Sequence, residues 1–227
     1  MKTQNQTPAN FLGRLNDVEA KHAPEHLYTL GDTSLLNGYS RVAIVGSRKA
    51  SEDGLRRARS LAKTLVENKV VVVSGLAEGI DTAAHESAIQ QGGRTIAVMG
   101  TPLDKPYPAS NRLLYQRIVR DHLAVSQFPS GYPGGRKNFP MRNRTMALLT
   151  DATVIVEAGE KSGTLHQGWE ALRLGRLLLL MESVANNPDL SWPKEMIGYG
   201  AQVLTRNNLG AVLENLPMRA DTADIAL

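Results

Sequence analysis

The stretch Arg41-Val42-Ala43-Ile44-Val45-Gly46-Ser47-Arg48-Lys49-Ala50-Ser51 decides the fold. Val42 to Val45 are apolar without a polar alternate, and the run then breaks off in Gly-Ser-Arg. A strand of this kind is buried on both faces, as in a parallel sheet covered by helices. In such sheets ligands bind at the carboxyl ends of the strands. Gly46 lets a ligand approach the backbone, Ser47 offers a hydroxyl and Arg48 a fixed positive charge, a combination that suits a phosphate. An ordinary strand-to-helix turn with a solvated arginine explains the same residues.

Working outward from this strand, the pattern predicts further strands over 70–74, 94–98, 122–126, 152–157, 177–181 and 201–204. Helices are predicted over 54–68, 80–91, 110–120, 139–150 and 164–174, with Gly92-Gly93 and Gly175 where helix C-caps are expected. Repeated βα units of this length imply an α/β, Rossmann-like, doubly wound and mostly parallel sheet with helices on both faces. The expected organisation is an N-terminal helix and connector over 1–40, a Rossmann-like domain over 41–208 and a C-terminal tail over 209–227. Within the first segment, Phe11, Leu12, Leu15 and Val18 form a stripe compatible with a short amphipathic helix. Pro24, Gly31 and Gly38 then mark a connector with room for one short element.

The chain has 227 residues, which suits one large α/β domain. Hydrophobic residues make up 42% but aromatic ones only 5%, so the core must be aliphatic. The absence of cysteine excludes disulfides and thiol or cysteine–metal chemistry. No apolar run approaches the ~20 residues of a membrane span, and no apolar signal-peptide region follows Lys2. A soluble cytoplasmic protein is therefore expected, with no membrane partner. The net charge of +4 is a weak pointer to an anionic partner. Its distribution is a stronger one. No acid occurs between Asp121 and Asp151, whereas Arg136, Lys137, Arg142 and Arg144 fall inside that gap.

Several catalytic signatures are missing. The sequence lacks Gly-x-Gly-x-x-Gly after the first strand, a Gly-x-x-x-x-Gly-Lys-Ser/Thr loop, His-Glu-x-x-His and Gly-x-Ser-x-Gly. No catalytic residue, metal site or cofactor is expected. What remains is a set of strand-end loops. Ser74-Gly75-Leu76-Ala77-Glu78-Gly79-Ile80-Asp81 combines two glycines with an acid placed to accept amide hydrogens at a helix start. Asp81 and His85 share a helical face, but two ligands are too few for a metal; a cap plus a histidine buttressing the loop is the simpler reading. Gly131 to Arg144 combines glycines, four cations, Asn138 and Asn143 with Phe139, which can stack on an unpaired base or plug the core beneath the following helix. Ser162, Gly163 and Thr164 would present amides and hydroxyls to an anion at a helix N-terminus, although capping explains them as well.

Taken in order, these loops resemble the DprA/Smf family of DNA-processing proteins. The resemblance rests on Gly46-Ser47-Arg48, Ser74-Gly75-Leu76-Ala77 with Gly79-Ile80-Asp81 and Ala84-His85, Tyr107-Pro108, Phe139-Pro140 with Arg142-Asn143-Arg144, Glu157-Ala158, Ser162-Gly163 and Gly175-Arg176. It implies a protein that dimerises, binds single-stranded DNA without catalysing a reaction, and helps load RecA during recombination or transformation. Arg48, Lys137, Phe139, Arg142 and Arg144 would form the DNA pocket and Gly46, Ser47, Ser162 and Gly163 its floor, with Ser51, Gly75, Asn138, Asn143 and Thr164 completing the contacts. The additional N-terminal helical or C-terminal winged-helix domains of many members are not expected here, since few residues flank the Rossmann-like core. Two other readings stay open. One is a sensor whose pocket binds a small nucleotide, in defence or signalling. The other is a LOG-type nucleotide phosphoribohydrolase, disfavoured because Gln167 stands where those enzymes carry an acid, with Glu170 nearly a turn further on.

Overall fold

The computed structural model describes residues 3–217. Its centre is a sheet in which seven parallel strands follow the predicted ones closely: β3 (Arg41–Gly46), β4 (Val71–Ser74), β5 (Thr95–Met99), β6 (Leu123–Ser126), β7 (Ala152–Glu157), β8 (Leu177–Met181) and β9 (Gln202–Leu204). The helices α3 (Glu52–Glu67), α4 (Ile80–Gln90), α5 (Arg112–Asp121), α6 (Asn138–Leu149) and α7 (Thr164–Arg173) connect them. The fold is the expected mostly parallel, Rossmann-like α/β sheet.

β1 (Gln4–Gln6) was not expected, and the connector that had room for one short element holds a strand, β2 (Leu27–Gly31). The two pair with each other and add an antiparallel edge, β2 lying against β6. The first segment thus feeds the sheet directly. Its apolar stripe is not one helix: α1 (Ala9–Leu12) ends at Gly13, whose φ is +71°, and α2 (Asp17–His22) starts anew from an Asn16–Glu19 capping box. Phe11 is buried, while Val18 is 45% exposed. Three short helices near the C-terminus, α8 (Glu182–Ala185), α9 (Trp192–Gly198) and α10 (Leu209–Glu214), also lack a sequence expectation. Residues 218–227, the remainder of the expected tail, lie outside the described residues.

Alternate residues of the central strands point to opposite faces, which gives each face its own core. Val42, Ile44, Val72, Val154 and Val156 pack under α3 and α4, against Ala58, Leu61, Leu65, Ala84 and Ala88. Ala43, Val45, Val73, Val98 and Ile155 pack under α6 and α7, against Met146 to Leu149 and Ala171. His85 on α4 is fully buried, with Nδ1 2.7 Å from Thr95 Oγ1, which itself donates to the Val72 carbonyl at 2.8 Å. It therefore ties α4 to the sheet, and it also meets the backbone of Ser74, where the loop before α4 begins.

Burial pushes the His85 pKa down to about 3. The unfolded chain takes up this proton near pH 6.5 but the folded chain does not, so stability falls as pH drops from 6.5 towards 3. The expected slope is about 1.4 kcal/mol per pH unit for one proton. Buried His122, also shifted down by desolvation, adds to it in the same direction. Urea unfolding of His85→Gln between pH 7 and 5 should show a shallower decline than the parent, and equal slopes would remove His85 from this account.

The strand order β1-β2-β6-β5-β4-β3-β7-β8-β9 winds outward in both directions from β3. The switch point lies between β3 and β7, and a crevice must open beyond their carboxyl ends. That is where Gly46-Ser47-Arg48 and the loop after Glu157 emerge.

Candidate functional site

A cleft of about 550 Å³ lies at the switch point, lined by Gly46 to Lys49 after β3, Ala77 and Asp81 from the β4–α4 region, one side of α6, and Gly159 to Gln167 around the start of α7. Its walls are cross-tied. Ser47 N donates to the Glu157 carbonyl at 2.7 Å, and Ile80 N donates to the Ser47 carbonyl at 3.2 Å. Thr164 Oγ1 donates to the Gly46 carbonyl at 3.1 Å, and Asn143 Nδ2 to the Gly163 carbonyl at 3.3 Å. Gly46 is required by this closeness, because a Cβ there would stand 2.8 Å from the Glu157 carbonyl oxygen and 2.6 Å from Ile80 Cγ1.

The floor is a buried charge cluster. Arg142 on α6 is 5% exposed, and its Nη1 donates to the Gly75 carbonyl at 2.5 Å and the Val98 carbonyl at 2.8 Å. Its Nε donates to Asn143 Oδ1 at 3.0 Å. The Asp81 carboxylate accepts the Gly75 and Ala77 amides at 3.1 and 3.2 Å, so it caps the loop before α4 rather than the helix itself. Burial raises the Asp81 pKa, while the Arg142 charge and these amides hold it down. Burial in turn lowers that of Arg142, against the pull of Asp81.

Of the residues expected to bind nucleic acid, Gly46, Ser47, Arg48, Phe139, Arg142, Asn143, Ser162, Gly163 and Thr164 line the cleft together. Five do not. Ser51 caps α3, its hydroxyl accepting from Gly54 N and donating to Glu157. Gly75 lies against Arg142, where a Cβ would overlap the guanidinium, and so makes room for that arginine. Lys137 is exposed at the N-cap of α6, and Asn138 is buried beside it. Arg144 points away to α7, where Glu170 accepts from its Nε and Nη2 at 3.3 Å. Two positions along a helix rotate by about 200°, which is why Arg142 and Arg144 face opposite ways. The Thr164 hydroxyl, though in the lining, is committed to Gly46.

Lys49, Lys161 and His166 also line the cleft and were not foreseen. Lys49 and Lys161 continue the cationic rim around Arg48, and adjacency to Arg48 and Ser162 was the sequence signal that pointed to them. Among the described residues, the one acid in the lining is Asp81, already facing Arg142. Gln167 is buried beneath the cleft within reach of Thr153. Glu170, the displaced acid, is held by Arg144 and Arg173.

The family model for DNA recombination-mediator protein A matches residues 5–216 of the chain. The protein Smf of Synechocystis is 38% identical over 207 residues, covering 88% of this chain and 51% of its own length. The chain spans about half the length of the curated relatives it matches. Among solved structures, DNA processing protein A from Streptococcus pneumoniae superposes with a TM-score of 0.80 at 34% identity, covering 95% of this chain and 75% of that one. DNA processing protein A from Helicobacter pylori, solved for its single-stranded DNA binding mode, gives 0.79 at 28% identity and covers 94% of this chain and 98% of that one.

Proposed function

Because this chain belongs to the DNA recombination-mediator protein A family, the DprA/Smf proteins, we propose that its switch-point cleft holds single-stranded DNA without transforming it. The observation that carries the reading is the rim. Arg48 has no carboxylate partner among the described residues, and Lys49 and Lys161 stand beside it with backbone amides from two strand-end loops. Such a rim neutralises backbone phosphates and carries no means of telling one base from another.

The absence of chemistry is part of the same proposal. Gln167 cannot ionise, and Glu170 is turned out of the cleft into an ion-pair cluster, so neither is placed as a general acid for glycosidic cleavage. Delivery of the strand to RecA, a homodimeric state and a cytoplasmic location are further parts of the proposal, supported by the family alone. No helix among the described residues is long and apolar enough to cross a membrane.

Fluorescence anisotropy with labelled single-stranded oligonucleotides of increasing length, at two salt concentrations and with AMP as competitor, tests the reading. Affinity should grow with length and fall with salt, each neutralised phosphate contributing about 0.7 to the log–log slope. Arg48→Ala should weaken binding about tenfold or more and lower that slope by about 0.7, with little dependence on sequence. Full displacement by AMP would favour the nucleotide sensor instead, a reading to which the modest volume of the cleft also lends itself.

A further inference from the structure

Phe139 is the aromatic residue the sequence offers for base stacking, but its partly buried ring is already engaged by protein groups. The Arg48 guanidinium lies over it at 5.3 Å from the centroid and that of Arg142 at 6.0 Å. Against Gly100 the fit is so close that a Cβ there would come within 2.7 Å of Phe139 Cδ1. Phe139 therefore serves as the pedestal of Arg48.

The ring of Tyr107 is different. Its centroid lies 5.9 Å from that of Phe139 with the planes inclined at 57°, and the residue is 50% exposed. Its hydroxyl has no hydrogen-bond partner among the described residues. With Pro108 and Glu78 it lines a narrow crevice that shares Arg48, Ala77, Phe139 and Arg142 with the main cleft. Packing on Phe139 accounts for part of this ring, and the exposed half is engaged by no hydrogen bond among the described residues. Glu78, which accepts from Ser110 Oγ at 2.8 Å, offsets part of the positive charge that Arg48 and Arg142 bring to this crevice.

We propose that Tyr107 is a stacking platform for the base next to the nucleotide held in the cleft. The strand leaves the cleft over the Arg48–Phe139 wall and lays its following base on the Tyr107 ring. This rests on the reading of the cleft as a single-stranded DNA site, and it adds a second nucleotide position with a different chemistry: charge at Arg48, a π-face at Tyr107.

The test compares Tyr107→Leu and Tyr107→Phe with the parent protein, using labelled oligo(dT) and, separately, dTMP. Tyr107→Leu should weaken oligo(dT) binding about 5- to 150-fold, the range for loss of one base–aromatic stack, and leave dTMP binding unchanged. Tyr107→Phe should bind both as the parent does, because the ring and not the hydroxyl is used. If Tyr107→Leu binds oligo(dT) as tightly as the parent, the platform is overturned while the cleft reading stands. Equal weakening of oligo(dT) and dTMP with a lowered melting temperature would also overturn it, since Tyr107 would then act only by packing on Phe139. If the parent binds no oligo(dT) at all, the cleft reading itself fails.

Discussion

Arg142→Met should lose about 3–5 kcal/mol of folding stability, because it strips two buried carbonyls of their charged donor and a buried carboxyl of its offsetting charge. Methionine fills much of the volume but leaves the Gly75 and Val98 carbonyls without their donor, and Asp81 without the charge that offsets its burial. For a chain of this size the melting temperature should fall by roughly 6–20 °C. The effect has a pH signature. With Arg142 gone, the Asp81 pKa rises further above its unfolded value of 3.8. A carboxyl raised in this way is fully tolerated below the unfolded pKa and loses stability as pH rises through the folded pKa. The penalty of Arg142→Met, measured against the parent at each pH, should therefore shrink in acid. Adding Asp81→Asn should recover part of it, so the double variant costs less than the sum of the singles. A variant that keeps its melting temperature and loses only DNA affinity would mean that Arg142 meets phosphate directly.

The second large effect belongs to a residue without a side chain. Gly79 has φ +78° and ψ −122°, a region open essentially to glycine alone. A Cβ there would stand 2.3 Å from the Ser47 carbonyl oxygen and 2.7 Å from that of Arg48, both backbone atoms. Gly79→Ala thus adds backbone strain of about 1–3 kcal/mol to an overpacking cost of similar size. A total loss of about 3 kcal/mol or more is expected in denaturant unfolding. Relief of the clash must displace Ser47 and Arg48, so oligonucleotide affinity should fall as well, even when only folded protein is counted. Gly131→Ala is the control, because its φ is +80° but nothing lies within 4 Å of the added Cβ. Equal costs for the two substitutions would show that the contact with Ser47 and Arg48 contributes nothing.

The parallel strands were legible because each reads as an apolar run closed by a change of composition. Val42 to Val45 ends in Gly46, and Val154 to Val156 in Glu157, and the observed strands stop at those residues. The antiparallel edge was not legible. Gln4–Gln6 is wholly polar, and Leu27–Gly31 owes its strand form to pairing with β6, almost a hundred residues away. Within the site, the sequence supplied the residue types but not the helix faces. Arg142 and Arg144 look equivalent in a basic run, yet one is bound to two sheet carbonyls and the other to Glu170. Ser51 and Thr164 present hydroxyls at helix starts as read, but capping and the Gly46 carbonyl engage them. Tyr107 carried no expected role, since its exposure is apparent only beside a Phe139 already engaged by Arg48.

The placement of β7 beside β3 has a consequence for the chain as it leaves the ribosome. Synthesis delivers β3 to β6 first, a half-sheet in which one edge of β3 is bare and the cleft has a single wall. Arg48 is then present, but Glu157, which fixes Ser47 and α3, and Ser162 to Thr164, which face Arg48 across the opening, are still to come. A nascent product ending before Ala152 lacks the wall of the cleft that β7 and the start of α7 supply, so the proposed site is complete only once the polypeptide has passed Gln167 and the two half-sheets have closed on each other.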